Sequence, residues 1–275
     1  PIRVRPAPFA LLVAAALAGP LAPTPAAAQE GPLFGSRDAW IASAYLGAAA
    51  LAFPFDRAIA VAIRDSVIQE TPGLREASRG FDLLGIPGAA ILSLGLYGAG
   101  RAFDRPELAD AGLHMGEAFV MAQVVTGVTK LVLGRTRPRR NPDDPFDFRL
   151  FRGFRADDFQ AFPSGHTSGA FAVAAAAAHE LRRIQGGSPW MYGALVYVPA
   201  GLVGLSRMFD NHHWASDVVF GAAIGAFSGW KTVRWTHDNP DNRVDRWFLG
   251  GTVGLGETPV LRLVVLPAAF VLPGR

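Results

Sequence analysis

The sequence predicts an all-α protein of about six helices, membrane-embedded, with a short β-hairpin at its C-terminal end. Half of the 275 residues are hydrophobic and only 18% are charged, too apolar for a disordered chain and at the border of membrane proteins. The apolar residues gather in six Ala- and Leu-rich runs, 39–55, 83–100, 111–133, 167–178, 188–205 and 214–230, whose length and composition favour helix over strand. A membrane span needs about 20 mostly apolar residues. Several of the runs fall at or below that length, so buried helices of a soluble bundle are the other reading of the same pattern.

Taken in order, residues 1–28 read as an export signal. Arg3 and Arg5 start it, 9–18 is its apolar core, and Ala26-Ala27-Ala28 before Gln29 is a cleavage pattern. An uncleaved anchor helix is the alternative. Residues 29–80 form an N-terminal helical segment. Within it, 57–79 mixes charges with Ile59, Ile63, Val67 and Ile68 at helical spacing, the pattern of an amphipathic helix lying on a surface, and Thr71-Pro72-Gly73 breaks it. Residues 81–235 make the core. Inside the core, 135–160 is a long polar insert that Pro138, Asn141-Pro142 and Pro145 keep irregular, and its position suggests a lid over a site. In the tail, 236–275, the runs 248–254 and 260–265 flank a Gly-Glu-Thr-Pro turn. That pattern suits a hairpin or, equally, a further apolar membrane segment.

Cysteine is absent, which excludes disulfides, thiolate metal sites and cysteine nucleophiles. The formal charge is +3. No separate basic stripe with interleaved aromatics exists, so nucleic acid is not an expected partner.

Three clusters carry the chemistry. Lys130 precedes Arg137-Pro138 by seven residues, about two helical turns, so both cations can project from one face where Pro138 stops a helix. Alone this is weak, since a basic residue at a helix end commonly just complements the dipole, and Arg135, Arg139 and Arg140 could do no more. Next, Ser164 in Pro163-Ser164-Gly165-His166 suits an N-cap, and Gly165 lets backbone approach a ligand. A helix starting there aims free N–H groups at an anion, with His166 in its first turn. A capped helix with a solvated histidine fits this cluster equally well. Third, His213 and Asp217 stand four apart behind Ser206-Arg207. On a helix the carboxylate could hold the imidazole N–H and leave the other nitrogen nucleophilic. His212 meets Ser216 at that spacing and has no such partner. Together the clusters hold three cations, two imidazoles and a carboxylate, an inventory able to bind a phosphate and displace one of its oxygens without a metal.

Lys-x6-Arg-Pro, Pro-Ser-Gly-His and Ser-Arg-x5-His-x3-Asp, in this order, resemble the three-part signature of the type 2 phosphatidic acid phosphatase superfamily. That superfamily also contains bacterial acid phosphatases and vanadium haloperoxidases. The resemblance covers roughly 83–233 and fills every signature position. It implies a helical bundle with the site at one end and no cofactor or metal. It implies His213 as the nucleophile that forms a phosphohistidine, Asp217 as its orienter, and His166 as the acid and later the base. Lys130, Arg137, Ser164, Gly165 and Arg207 would bind the phosphoryl oxygens.

The expected function is therefore metal-independent hydrolysis of a lipid phosphate or diphosphate monoester, with the membrane and a lipid as partners and no obligate protein partner. The alternatives are a soluble periplasmic acid phosphatase of broad specificity and, behind it, a vanadium-dependent haloperoxidase. A plain anion-binding protein has no use for the His-His-Asp set. The expected location is a bacterial inner membrane with the site facing the periplasm. Orientation is contested within the sequence. Cleavage after Ala28 followed by three spans puts Lys130 on the cytoplasmic side, whereas Arg182-Arg183 at the far end of the following helix favours the opposite.

Overall fold

The computed structural model describes residues 34–249 except 188 and 241. The expected signal segment and all but the first two residues of the expected hairpin lie outside them. The described residues form α1 (Ser36–Ala50), α2 (Asp56–Ile63), α3 (Ser66–Glu70), α4 (Pro72–Leu83), α5 (Ile86–Ala102), α6 (Pro106–Leu133), α7 (Gly165–Gln185), α8 (Pro189–Phe209), α9 (Ala215–Asp238) and α10 (Arg243–Phe248). Among them there is no strand, only an isolated antiparallel bridge between Arg135 and Phe148. The long helices α1, α5, α6, α7, α8 and α9 match the six apolar runs. The amphipathic stretch 57–79 is three helices rather than one. Asp65 caps α3 by accepting from the Val67 N–H, and Pro72 opens α4, so each break follows from a local capping residue.

Helices α7 and α9 pack most extensively, with α6 against both, α5 on α6, α8 on α7, and α1 on α9. The α7–α9 contact is backbone-close because Gly221, Gly225 and Gly229 repeat every fourth residue on α9. A β-carbon at any of them would run into the carbonyls of Ser164, Ser168 or Ala172 on α7. Small residues fill the space between, and Ala172, Ala175, Ala176, Ala222 and Ala226 are all buried. The outward faces carry the large apolar side chains instead, with Ile91 69%, Leu94 70% and Val128 58% exposed. Buried small and polar residues beneath an exposed apolar skin is the distribution a lipid-facing bundle requires. Residues 36–63, 106–133 and 191–209 are long and apolar enough to cross a membrane, and the bent pair α4–α5 makes a fourth if it counts as one span.

Contacts of Asp56, Asp82, Lys130, His166, Arg207 and Asp217 bring the C-terminal ends of α4, α6 and α8 and the N-terminal ends of α2, α7 and α9 together at one end of the bundle. Phe34 and Asp38 lie beside Lys231, deep in the second half of α9, towards the other end.

Candidate active site

The three clusters converge at that shared end, although two of them do so by a different route from the one their spacing suggests. Helix α6 stops at Leu133 because Gly134 takes a left-handed conformation (φ 55°) and closes the last turn on the Lys130 carbonyl. Arg137 is thus not on the helix of Lys130, and Pro138 comes too late to end it. The chain doubles back, and Arg137 reaches the site from the 135–160 segment. Its Nε donates to the Asp157 carbonyl (2.9 Å), its Nη2 to the Asp157 carboxylate (2.6 Å), and its Nη1 lies 2.9 Å from His212 Nδ1. Lys130 donates to the Gln160 carbonyl (2.7 Å), and its Cε runs 3.5 Å from where a β-carbon on Gly165 would sit. The Lys130 side chain thus lies against the start of α7, at a distance an added β-carbon would meet as ordinary van der Waals contact. Arg207, in the last turn of α8, is buried. Its guanidinium pairs with Asp82, and its Nε–H has no partner.

Ser164 caps α7 as expected, its Oγ accepting from the Thr167 hydroxyl (2.8 Å) and, more loosely, from the Thr167 N–H (3.4 Å). His166 follows in the first turn, one-quarter exposed, with Nε2 3.6 Å from Asp82 Oδ1. Gly85, at the start of α5, abuts its ring, and a β-carbon there would overlap it.

His213 is not on a helix. It lies in the loop before α9, whose N-cap is Trp214. Its Nδ1 is 2.6 Å from the Ala161 carbonyl and 3.6 Å from Asp217 Oδ2. A carbonyl can only accept, so Nδ1 carries the proton and Nε2 keeps its lone pair. The tautomer expected from an aspartate partner is produced by a backbone oxygen. Asp217 instead accepts from the Trp214 N–H (2.7 Å), which fixes the loop that carries His213. Its other oxygen takes Arg135 Nη1 at 2.5 Å.

Arg135 is the residue that sequence reasoning undervalued. It is 0% exposed, as are Asp56 and Asp217. Its guanidinium donates to Asp56 (2.7 Å), Ser216 Oγ (2.7 Å), Asp217 (2.5 Å) and the Pro145 carbonyl (2.9 Å from Nε). Phe53, Phe148 and Trp214 enclose it, with ring centres about 5 Å away. Ser216 further donates to Asp56 (2.6 Å). The 135–160 segment, expected as a lid, is therefore anchored under the site by Arg135. Arg152 anchors it as well, bonding the Gly134 carbonyl (2.9 Å) and Asp147 (3.1 Å). Asp82 is the second addition, a carboxylate facing both Arg207 and His166. No spacing could have revealed either contact, since Arg135 is separated from Asp56 by 79 residues and Asp82 from Arg207 by 125.

Electrostatics follow from this crowding. Burial, then the charges of Lys130, Arg137 and Arg207, hold the His213 imidazole well below the usual histidine range. Burial and the same two arginines push His212 down to about 4. Both rings are neutral at neutral pH. A neutral imidazole with one nitrogen locked as donor, set among three cations, can act as a nucleophile toward an anion held by those cations. His212 serves a different end, as an acceptor for Arg137. The cations also meet the sterically open N-terminus of α7, so the helix dipole adds to the field an anion would experience.

The family profile described as the PAP2 superfamily matches residues 111–241. A 71-residue stretch is 45% identical to a lipid A 1-phosphatase of Porphyromonas gingivalis, covering 25% of this chain and 15% of that protein. Over 120 residues the chain is 30% identical to a lipid A 1-phosphatase of Rhizobium johnstonii, covering 42% of this chain and 44% of the relative. A lipid A 1-phosphatase of Rhizobium etli is 30% identical over 123 residues, 43% and 46% of the two chains. The chain thus spans less than half the length of each of these relatives. Among solved structures, a transmembrane PAP2 type phosphatidylglycerolphosphate phosphatase from Bacillus subtilis aligns with 86% of this chain and 98% of its own at 23% identity and a TM-score of 0.46.

Proposed function

We propose that this chain, whose residues 111–241 match the PAP2 superfamily profile, is a phosphatase that hydrolyses a lipid phosphate or diphosphate without a metal at the reacting phosphorus. The observation that carries the reading is His213, with its Nδ1–H held by the Ala161 carbonyl at 2.6 Å and its opposite nitrogen free among Lys130, Arg137 and Arg207. Nε2 attacks phosphorus, the P–O bond to the lipid breaks, and His166 gives its proton to the departing oxygen. Water, deprotonated by His166, then attacks the phosphohistidine, the P–N bond breaks, and inorganic phosphate leaves. The phosphorylated ring carries positive charge, and Asp217 at 3.6 Å stabilises it. The three cations neutralise the equatorial oxygens at both steps. The unpartnered Nε–H of Arg207 suits one of them.

A lipid substrate is supported by an apolar cavity of about 880 Å³ between α5, α6, α9 and α10, lined by Leu94, Phe119, Val120, Val124 and Phe248 among others. Val124 lies six residues before Lys130, roughly 9 Å along α6, so an acyl chain in the cavity can belong to a headgroup in the site. The relatives' names make a lipid A 1-phosphate the first substrate to try. The proposed location is the inner membrane with the site facing the periplasm, as Arg182 and Arg183 at the opposite end of α7 favour. An external site and cleavage after Ala28 hold together only where residues 36–63 do not cross the membrane. Single-cysteine labelling in cells, at exposed positions of the two ends of this cysteine-free chain, separates the cases.

The test of function is phosphate release by purified, detergent-solubilised protein in chelator. The substrates are a lipid A 1-phosphate, phosphatidic acid, an isoprenyl diphosphate and p-nitrophenyl phosphate, with His213→Ala as control. Preferred turnover of a lipid, lost in the control, is the expected result. Better turnover of the soluble ester makes the protein a broad-specificity acid phosphatase. Release that survives His213→Ala overturns the mechanism.

A further inference from the structure

At the end of the bundle opposite the candidate active site, five ionisable side chains from four helices meet, three of them buried and two half-buried. These are His114 and Glu117 of α6, Glu180 of α7, His237 of α9 and Asp245 of α10. Asp110, one turn before His114, lies within electrostatic reach of His114, Glu180, Asp245 and His237. His114 is 2% exposed. Its Nδ1 is 2.7 Å from Glu180 Oε1, which His237 Nε2 also approaches to 2.7 Å. Glu180 thus accepts from both rings, so His114 Nδ1 carries a proton, and in the neutral ring Nε2 is left with a bare lone pair.

That Nε2 is buried and has no hydrogen-bond partner, and neither has Asp245 Oδ1. They stand 3.7 Å apart, and the ligand atoms of His114, Glu117 and Asp245 all lie within 4.8 Å of one another. Two adjacent buried acceptors without a donor repel each other and have each lost their water. What pairs them is a cation, either a proton on Nε2 or a metal ion in its place, and a gap of 3.7 Å is too long for an N–H···O bond. Donor atoms around a tetrahedral zinc are about 3.3–3.6 Å apart, given bonds of about 2.0–2.2 Å to nitrogen and oxygen, so a small inward movement suffices. The remaining contacts are those of an outer shell: a metal-binding histidine commonly gives its second N–H to a carboxylate, as His114 does to Glu180. The overlapping trio His114, Glu180 and His237 is the poorer candidate, because its atoms already satisfy one another by hydrogen bonds. The charge count points the same way. Arg183, 3.9 Å from Glu180, is itself more than half exposed and offsets little of the buried negative charge.

We infer that His114 Nε2, Glu117 and Asp245 form a binding site for a divalent transition metal of the zinc class, remote from the phosphate chemistry. Water or a second carboxylate oxygen completes the coordination. Its consequence is mechanical. Asp245 is the contribution of α10, a six-residue helix too short to hold its place alone. Val244 and Phe248 of that helix, with Glu117 of α6, line one end of the apolar cavity. The ion ties α10 to α6 and fixes that wall.

The full-length protein in detergent, stripped with chelator, is loaded with equimolar zinc and desalted, and metal is measured by mass spectrometry. The expected content is close to one zinc per chain in the wild type and in His213→Ala, and less than about a tenth of that in Asp245→Asn and Glu117→Gln. Zinc should also raise the thermal midpoint of the wild type by several degrees and leave those two variants unmoved. Equal zinc in all four proteins, or none in the wild type, overturns the inference. X-ray absorption on the zinc-loaded wild type needs no variant to fold: a shell of nitrogen and oxygen with one imidazole supports the site, and two imidazoles refute the assignment. Phosphate release enters none of these readouts, so failure here leaves the phosphatase proposal standing, and the reverse.

Discussion

Replacing Arg135 tests how the buried charges beneath His213 are held. Arg135→Ala removes the donors to Asp56, Ser216, Asp217 and the Pro145 carbonyl and leaves two carboxylates, both 0% exposed, without their cation. Deleting one partner of a buried ion pair costs about 3–5 kcal/mol. Losing the contacts to Phe53, Phe148 and Trp214 adds about 1 kcal/mol or more. A total near 4–6 kcal/mol rivals the whole stability of many domains. It corresponds to a fall in thermal midpoint of roughly 8–24 °C for a chain of this size. Arg135→Lys keeps the charge but not the planar fork, and should lose about 1–3 kcal/mol. Heating in detergent, followed by tryptophan fluorescence, reads the transition. Asp56→Asn in the Arg135→Ala background removes one of the stranded charges, so the double variant should recover part of the loss, with a coupling of at least about 1 kcal/mol. A midpoint for Arg135→Ala within about 2 °C of the wild type, or strict additivity in the cycle, would refute the argument that an unpaired buried charge is what the variant creates.

His213→Ala should lower turnover more than about a thousandfold while still binding orthovanadate, whereas His212→Ala should stay within about tenfold of wild type, since it only accepts from Arg137; equal losses would mean that the wrong histidine was chosen. Burial and three cations depress the His213 pKa, so its reactive neutral form is kept as the pH falls through the ordinary histidine range, and the acid limb of kcat/KM should lie below about pH 6; a limb centred near 6.5 contradicts the depressed value. Asp82→Asn takes away the carboxylate that competes for Arg207, and orthovanadate should inhibit the variant about fivefold more tightly, equivalent to ~1 kcal/mol. Weaker inhibition would assign Asp82 to orienting Arg207 instead. Lys231→Met strands Asp38, now 2.7 Å from the ammonium, and should lower the thermal midpoint by several degrees; an unchanged midpoint would deny that pair a structural role.

The sequence by itself determined the helical class, because six long apolar runs of small residues leave no other way to satisfy their backbone in a low-dielectric setting. It also determined which residues gather at the site, because Lys130, Arg137, Ser164, Gly165, His166, Arg207, His213 and Asp217 come in short local groups whose spacing is readable along the chain. Helical geometry was assumed where the chain in fact breaks it. Gly134 ends α6 four residues before Pro138, and His213 precedes α9, so Asp217 caps the Trp214 N–H and the Ala161 carbonyl sets the tautomer. Only the tertiary structure decided those partners. It also decided the burial of Arg135 between Asp56 and Asp217, the approach of Asp82 to Arg207 and His166, and the meeting of His114, Glu117 and Asp245. These contacts join residues far apart in the chain. Their energies depend on water being excluded and on distances of a few ångströms, and neither is encoded in the local order of residues.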